Sequence, residues 1–98
     1  MKSRDDYDAA LHIVGAVVRS WDPYSLISSG APSDEFDSEI SKVATLVPGI
    51  SSPSAAAAAL STVFSAVFEP ELFSPAQCSV PGQELFAKLA AAGLAPQA

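Results

Sequence analysis

Apolar side chains recur every three or four residues from position 6 to position 21, at Tyr7, Leu11, Val14, Val18 and Trp21. An α-helix has about 3.6 residues per turn, so this spacing places all five on one helical face. Ala10 and Val17 widen that face, whereas His12 lies off it and is expected to be exposed. Gly15 lowers helix propensity, which suggests a point where another helix crosses closely. The pattern predicts a first helix over residues 6–21.

The same spacing returns further along the chain, at Phe36, Ile40, Val43 and Val47. It predicts a second helix over residues 33–47, with Ser33 or Asp34 as the capping residue. Acidic residues fill its first turn, where the helix dipole favours negative charge. Pro48-Gly49 is a turn signal that should end the helix, with Ile50 as an apolar anchor in the turn.

A third helix is predicted over residues 53–68. Ser52 is a favourable N-cap, and Pro53 suits the first helical position. The alanine run at 55–59 has the highest helix propensity available. Alanine also lets another helix or chain approach closely. One alternative is therefore a homodimer whose contact surface is this alanine run.

The last predicted helix covers residues 75–92. Ser74 and Gln77 fit a capping box, with Pro75 at the first helical position. A proline inside a helix removes a hydrogen bond and clashes with the preceding turn, so Pro81 should either kink this helix or break it. Gly93 fits a left-handed C-terminal cap, after which the chain folds back.

No stretch of the sequence alternates apolar and polar residues with period two, and no hairpin turn signal occurs. A chain of 98 residues has room for one domain, here spanning 1–98. The sequence therefore predicts an all-α fold. The expected architecture is a compact, irregular four-helix bundle, or a five-helix one if the last helix is broken at Pro81. A long ordered loop, residues 22–32, should connect the first two helices.

Charge narrows the classes of partner. The chain has five Lys and Arg against eleven Asp and Glu, a net charge of -6. No basic patch can be assembled for phosphate groups, so we expect neither a nucleic-acid nor a membrane partner. A basic protein partner suits this charge, although ordinary solubility is the simpler explanation of it.

Cysteine use and the N-terminal residues bear on location. Cys78 is the single cysteine, so no disulfide forms within the chain. Acidic residues near the N-terminus are unlike a targeting peptide, and no apolar run reaches the ~20 residues of a membrane span. The expected location is cytoplasmic.

The carboxylates after Pro32 invite a metal-site interpretation, because carboxylate oxygens bind calcium and magnesium. The spacing does not fit an EF-hand loop beginning at Asp34. Such a loop needs glycine where Glu39 stands and a carboxylate where Thr45 stands. We therefore expect no metal and no cofactor. Cys78 and His12 fit no catalytic motif, so no catalytic residue is assigned and Cys78 is expected in the core.

Two aromatic residues flank an Asp-Pro pair at the end of the first helix, and Trp and Tyr are frequent hot spots of protein interfaces. A structural interpretation stands beside this one, in which Trp21 completes the helical face and Tyr24 packs the loop. We define residues 21–39 as the acidic corner. Its candidate binding residues are Trp21, Asp22, Tyr24, Asp34, Glu35, Asp37 and Glu39.

Residues 21–40 read W-D-P-Y-S-L-I-S-S-G-A-P-S-D-E-F-D-S-E-I. This stretch resembles the YugE-like proteins, a small bacterial family of unknown function. The resemblance covers Trp21, Asp22, Pro23, Tyr24, Leu26, Gly30, Ala31, Pro32, Asp34, Glu35, Phe36, Glu39 and Ile40. Ser25 stands where the family usually has glycine, and Pro81-Gly82 interrupts a last helix that the family would leave unbroken. The resemblance implies a compact helical domain and no established activity.

The expected function is a non-enzymatic protein-interaction module, immunity-like or adaptor-like, that turns the acidic corner towards a partner. The alternative is a metal-binding or small-molecule-binding protein, or an enzyme, that uses the same carboxylates.

Overall fold

The computed structural model describes residues 4–21, 36–68, 71 and 73–94. These residues form four α-helices: α1 (Arg4–Trp21), α2 (Asp37–Leu46), α3 (Pro53–Val67) and α4 (Ser79–Ala91). A short 3-10 turn, Val47–Gly49, follows α2. No strand occurs in the described part of the chain, so the all-α fold class is confirmed. The predicted loop at 22–32 lies outside the described residues.

Side chains from all four helices contribute to one continuous apolar cluster. The centre of the predicted stripe on α1 is buried in it, at Ala10, Val14, Val17 and Val18. His12 is exposed, as its position off the stripe predicts. Ile50, which follows the 3-10 turn, is 1% exposed and anchors the chain between α2 and α3.

The described start of the second helix lies at Phe36. Phe36 occupies the N-cap position of α2, and no side chain caps the helix there. The first hydrogen bond of the helix runs from the Ile40 amide to the Phe36 carbonyl, at 2.8 Å. Phe36 is fully buried, so packing of its ring determines where α2 begins. The predicted start at residue 33 and the predicted cap at Ser33 or Asp34 lie outside the described residues, among which α2 begins at Asp37.

The start of α3 follows the predicted chemistry. The Ser52 hydroxyl accepts a hydrogen bond from the Ala55 amide at 3.0 Å, and Pro53 is the first helical residue. Ala56, Ala57 and Ala59 are buried within the chain. These three alanines therefore face the rest of the chain, and the alternative of a homodimer through residues 55–59 stays a prediction.

Helix α4 begins at Ser79, four residues after the predicted start. The Ser74 hydroxyl does accept from the Gln77 amide, at 3.3 Å, but this cap begins only a single turn. Pro81 has no N–H to donate to the Gln77 carbonyl, so the turn cannot continue as one helix. Pro81 instead lies in the first turn of α4, where amides lack helical partners in any case. The break therefore precedes Pro81, and no kink is needed.

The end of α4 has the predicted left-handed cap. Gly93 has φ +73°, its amide bonds to the Ala90 carbonyl, and the Leu94 amide bonds to the Leu89 carbonyl at 2.9 Å. This pair of hydrogen bonds is the Schellman motif. Leu94 packs against the core from there.

Among the described glycines, the one that lies against another helix is Gly82, where α4 meets α3, and not Gly15 on α1. A Cβ on Gly82 would lie 2.7 Å from the Ala57 backbone nitrogen and 2.8 Å from its Cα. A Cβ on Gly15 would instead meet the Arg19 guanidinium, at 2.6 Å from Nη1. The expectation of a close helix crossing at Gly15 is therefore wrong, and Gly82 has that role. In the described residues, no helix is both long and apolar enough to cross a membrane.

We expect Gly82→Ala to destabilise the protein by about 1–3 kcal/mol, because the added methyl group must push α3 and α4 apart. Helix propensity alone would predict a gain of roughly 1 kcal/mol. Gly49→Ala is the control, since nothing lies within 4 Å of its added Cβ. Urea unfolding followed by circular dichroism measures both variants. A Gly82→Ala variant as stable as Gly49→Ala would contradict the close contact.

Candidate functional site

The candidate site is built on five aromatic rings, Trp21, Phe36, Phe64, Phe68 and Phe73, which we call the aromatic cluster. Phe64 of α3 is at its centre. The Phe64 ring centroid lies between 5.2 and 6.0 Å from each of the other four. Separations of ~4.5–7 Å allow favourable tilted and offset ring contacts. One buried side chain thus connects three helices and the segment before α4.

Trp21 and Phe36 precede and follow residues 22–35 in the sequence, and both pack against Phe64. The Trp21 ring is half-buried, 5.2 Å from Phe64, and meets Phe73 edge-on at 5.7 Å. Phe36 is fully buried and 6.0 Å from Phe64. The last residue of α1 and the residue before α2 are therefore held at the same point of the core. This contact holds the first residue of the acidic corner, Trp21, and Phe36 within it.

An ion pair lies outside this apolar contact. Arg19 Nη2 is 3.6 Å from Asp37 Oδ1, and the two side chains are 43% and 63% exposed. Arg19 is in the last turn of α1 and Asp37 in the first turn of α2, so each charge also suits its helix dipole. A pair this exposed contributes at most about 1 kcal/mol to stability. Asp37 therefore presents a carboxylate that is paired but open to solvent.

Glu39 does not have the position expected of a surface-binding residue. The residue is 7% exposed and lies on the buried side of α2, beside Ile40. The sequence places Glu39 in an acidic first turn together with Asp37. Two residues correspond to about 200° around a helix axis, so the two side chains point to nearly opposite sides of α2. Glu39 is therefore not an exposed carboxylate, and its assignment as a binding residue stays a prediction.

The remaining candidate residues Asp22, Tyr24, Asp34 and Glu35 lie outside the described residues. The structure adds three residues that sequence reasoning did not place at the site, namely Arg19, Phe64 and Phe73. The sequence feature that could have identified Arg19 is a basic residue in the last turn of a helix. Phe64 falls within the predicted third helix, over residues 53–68. Nothing in the local sequence shows that these side chains meet.

The Phe73 backbone is attached to α3 as well. Its carbonyl accepts a hydrogen bond from the Ser65 hydroxyl at 3.0 Å and faces the Cys78 thiol at 3.8 Å. These two donors hold Phe73, 3% exposed, against the aromatic cluster. Cys78 is itself completely buried, as expected of a core residue.

Burial raises the pKa of the Cys78 thiol from 9.0 to about 11. The thiol is thus protonated at neutral pH, and the thiolate is the nucleophilic form. His12 is exposed on α1, so it does not share the environment of Cys78. Among the described residues, no group of three His, Cys, Asp or Glu side chains lies in a position to hold a metal ion.

The fold and the site define a small all-α protein in which the aromatic cluster includes Trp21 and Phe36 of the acidic corner. No family model, curated protein or solved structure matches the chain.

We expect Phe64→Leu to lower the free energy of unfolding by about 2 kcal/mol, because it removes four ring contacts worth ~0.5–1.5 kcal/mol each and not fully additive. The emission of Trp21, the only tryptophan, should also shift in the folded state. Phe86→Leu is the control, since Phe86 is half-buried outside the aromatic cluster. Equal losses in the two variants, with unchanged Trp21 emission, would contradict a central role for Phe64.

The buried thiol predicts a loss of stability at alkaline pH. The pKa of Cys78 is about 11 in the folded protein, against 9.0 for an ordinary cysteine. As pH rises, the unfolded chain therefore loses the thiol proton before the folded protein does. The stability that the protonated thiol gives the folded protein is fully present below pH 9. It is lost as pH rises towards 11, which lowers the free energy of unfolding by up to ~2–3 kcal/mol. Denaturant unfolding of wild type and Cys78→Ala across that range tests it. Parallel pH curves for the two proteins would contradict the prediction.

Proposed function

We propose that this chain is a non-enzymatic protein-interaction module, immunity-like or adaptor-like, that uses the acidic corner to bind a basic protein partner. The observation that carries the proposal is the convergence of Trp21 and Phe36 on Phe64. Segments whose ends are fixed on a rigid scaffold are frequent carriers of function. The acidic corner begins and ends on such a scaffold.

The exposed chemistry at the described ends of the corner favours a cationic partner. Asp37 is 63% exposed at its side chain, and the half-buried Trp21 gives the same region an aromatic side chain of the type enriched in interface hot spots. Asp34 and Glu35 add two carboxylates directly before Phe36 in the sequence. A net charge of -6 would speed the approach of a basic partner through long-range attraction.

The Arg19–Asp37 pair suggests how such a partner would bind. At 3.6 Å and largely exposed, Arg19 already occupies the Asp37 carboxylate with a cation belonging to the chain. A lysine or arginine of the partner would replace it, exchanging one surface ion pair for another. Because the exchange is nearly neutral in energy, most of the affinity must come from the other carboxylates and from aromatic contact.

The resemblance of residues 21–40 to the YugE-like family is part of this proposal, and so is a cytoplasmic location. The family resemblance contributes a compact helical domain and leaves the partner open. The aromatic cluster suggests a physical reason for the family's sequence pattern. Trp21 and Phe36 are two positions of that pattern, and both contact Phe64.

The test is a pull-down at low salt that compares wild type with an Asp34→Ala, Glu35→Ala, Asp37→Ala triple variant. Removal of the three carboxylates should reduce recovery of basic proteins about tenfold or more, since each charge at an interface contributes roughly 0.5–1 kcal/mol. Arg19→Gln should change recovery in the opposite direction, because it removes the cation that competes for Asp37.

The matched control is an Asp5→Ala, Asp8→Ala, Glu84→Ala variant, which loses three exposed carboxylates outside the acidic corner and the aromatic cluster. It should retain wild-type recovery. Equal recovery by wild type and the corner variant would refute the charge-based interaction. Equal reduction in both triple variants would show that only net charge matters and would refute the assignment to this corner.

A further inference from the structure

Glycine at position 15 leaves space on α1 for the side chain of Arg19. A Cβ built on Gly15 would lie 2.6 Å from Arg19 Nη1, 3.2 Å from Cζ and 3.3 Å from Nη2. The guanidinium therefore occupies the place where any other side chain at position 15 would begin. Long helical side chains point back over the residue four positions earlier, and Arg19 follows that path. We call this contact the Gly15 seat.

The same guanidinium also reaches the second helix. Arg19 Nη2 lies 3.6 Å from Asp37 Oδ1 in the first turn of α2. The Arg19 side chain is 43% exposed, so more than half of its surface is covered by the chain. An arginine side chain loses considerable conformational entropy when it is held in one place. Because the Gly15 seat already restricts the guanidinium, less entropy remains to be lost when Arg19 pairs with Asp37.

This arrangement places a cation of the chain itself at an exposed carboxylate of the acidic corner. Arg19 is tethered beside Asp37, so its effective concentration there is high, and a cation from another molecule must displace it. The separation of 3.6 Å is longer than the ~2.7–2.9 Å of a charge-assisted hydrogen bond. The internal pair is therefore weak enough to be displaced. It lowers the affinity of the site without closing it.

We propose that Gly15 is a positioning residue for Arg19, and that the seated guanidinium is an autoinhibitory cation that weakens the binding of a basic partner at Asp37. The inference rests on the proposed function, because it concerns the same acidic corner. It adds that an uncharged residue outside the corner, one helical turn before Arg19, sets the strength of binding. A side chain at position 15 would lift the guanidinium from α1 and leave the Asp37 carboxylate without this cation.

Gly15→Ala tests the seat without disrupting the fold. The atoms that its methyl group meets are at the far end of a flexible side chain, which can move into solvent. At Gly82, by contrast, an added methyl group meets the backbone of another helix. Alanine also has the higher helix propensity, so Gly15→Ala should be at least as stable as wild type. It leaves the net charge at -6, which Arg19→Gln does not.

The test measures the binding of a fluorescently labelled oligolysine peptide by fluorescence anisotropy at low salt. Gly15→Ala and Arg19→Gln should each bind the peptide about two- to fivefold more tightly than wild type, the range expected for an exposed ion pair. The double variant should bind no more tightly than Arg19→Gln alone, because Gly15 acts only through Arg19. Wild-type affinity in Gly15→Ala, or a further gain in the double variant, would overturn the proposal.

Lys88→Gln is the matched control for charge. Lys88 pairs with Glu84 at 3.6 Å on α4, so this variant also removes one positive charge and exposes a surface carboxylate, but outside the acidic corner. It should increase the affinity for the peptide less than Arg19→Gln does. An equal gain in Lys88→Gln and Arg19→Gln, with none in Gly15→Ala, would be an effect of net charge alone and would rule out the Gly15 seat.

The Asp34→Ala, Glu35→Ala, Asp37→Ala triple variant separates this inference from the proposed function. If it binds the peptide as wild type does, the charge-based function fails, and the autoinhibition has no site. If it loses binding while Gly15→Ala behaves like wild type, the proposed function stands and the autoinhibition is refuted.

A measurement without any partner tests the seat itself. Denaturant unfolding of Arg19→Gln, Asp37→Ala and the double variant gives the coupling between the two side chains. The coupling should change the unfolding equilibrium constant by up to about fivefold in the chain with Gly15, and should disappear in the chain with Gly15→Ala. Coupling of the same size in both chains would contradict a positioning role for Gly15.

Discussion

The packing of Phe64 is the interaction on which most of this structure depends. Its ring contacts side chains from the end of α1, the residue before α2, the end of α3 and the segment before α4. A domain of this size buries a modest core, so a few large rings supply a large share of its buried area. The chain has eight aromatic residues, and five of them are in the aromatic cluster. The same contacts hold Trp21 and Phe36, two described residues of the acidic corner.

The other half of the molecule is stabilised in a different way. Where α3 meets α4, the side chains are small and the backbones touch, with Gly82 against Ala57. Close approach replaces large side chains with many short-range contacts between main-chain atoms. The two arrangements lie on the same helix, since α3 carries the alanine run near its start and Phe64 near its end. Helix α3 therefore takes part in both arrangements.

The surfaces beside the two ends of α3 also differ, in their charge. The acidic corner adjoins the aromatic end of α3, and its described carboxylate, Asp37, is exposed and already paired with Arg19. A cavity between α3 and α4 adjoins the alanine end, where no charged side chain lines the wall. A charged surface suits a partner of opposite charge. The surface beside α3 thus changes from charged near its aromatic end to uncharged near its alanine end.

The sequence alone determined the helical class, the Ser52 cap, the Gly93 cap and the stripe on α1. These depend on local spacing, on the φ angle that glycine permits and on hydrogen bonds within a few residues. It did not determine that α2 begins after Phe36, that Glu39 is buried, or that Gly82 and not Gly15 is the close contact. Each of these is set by a partner distant in the sequence. Only the tertiary structure brought Trp21 and Phe36 onto Phe64, because periodicity identifies a buried face but not what that face contacts.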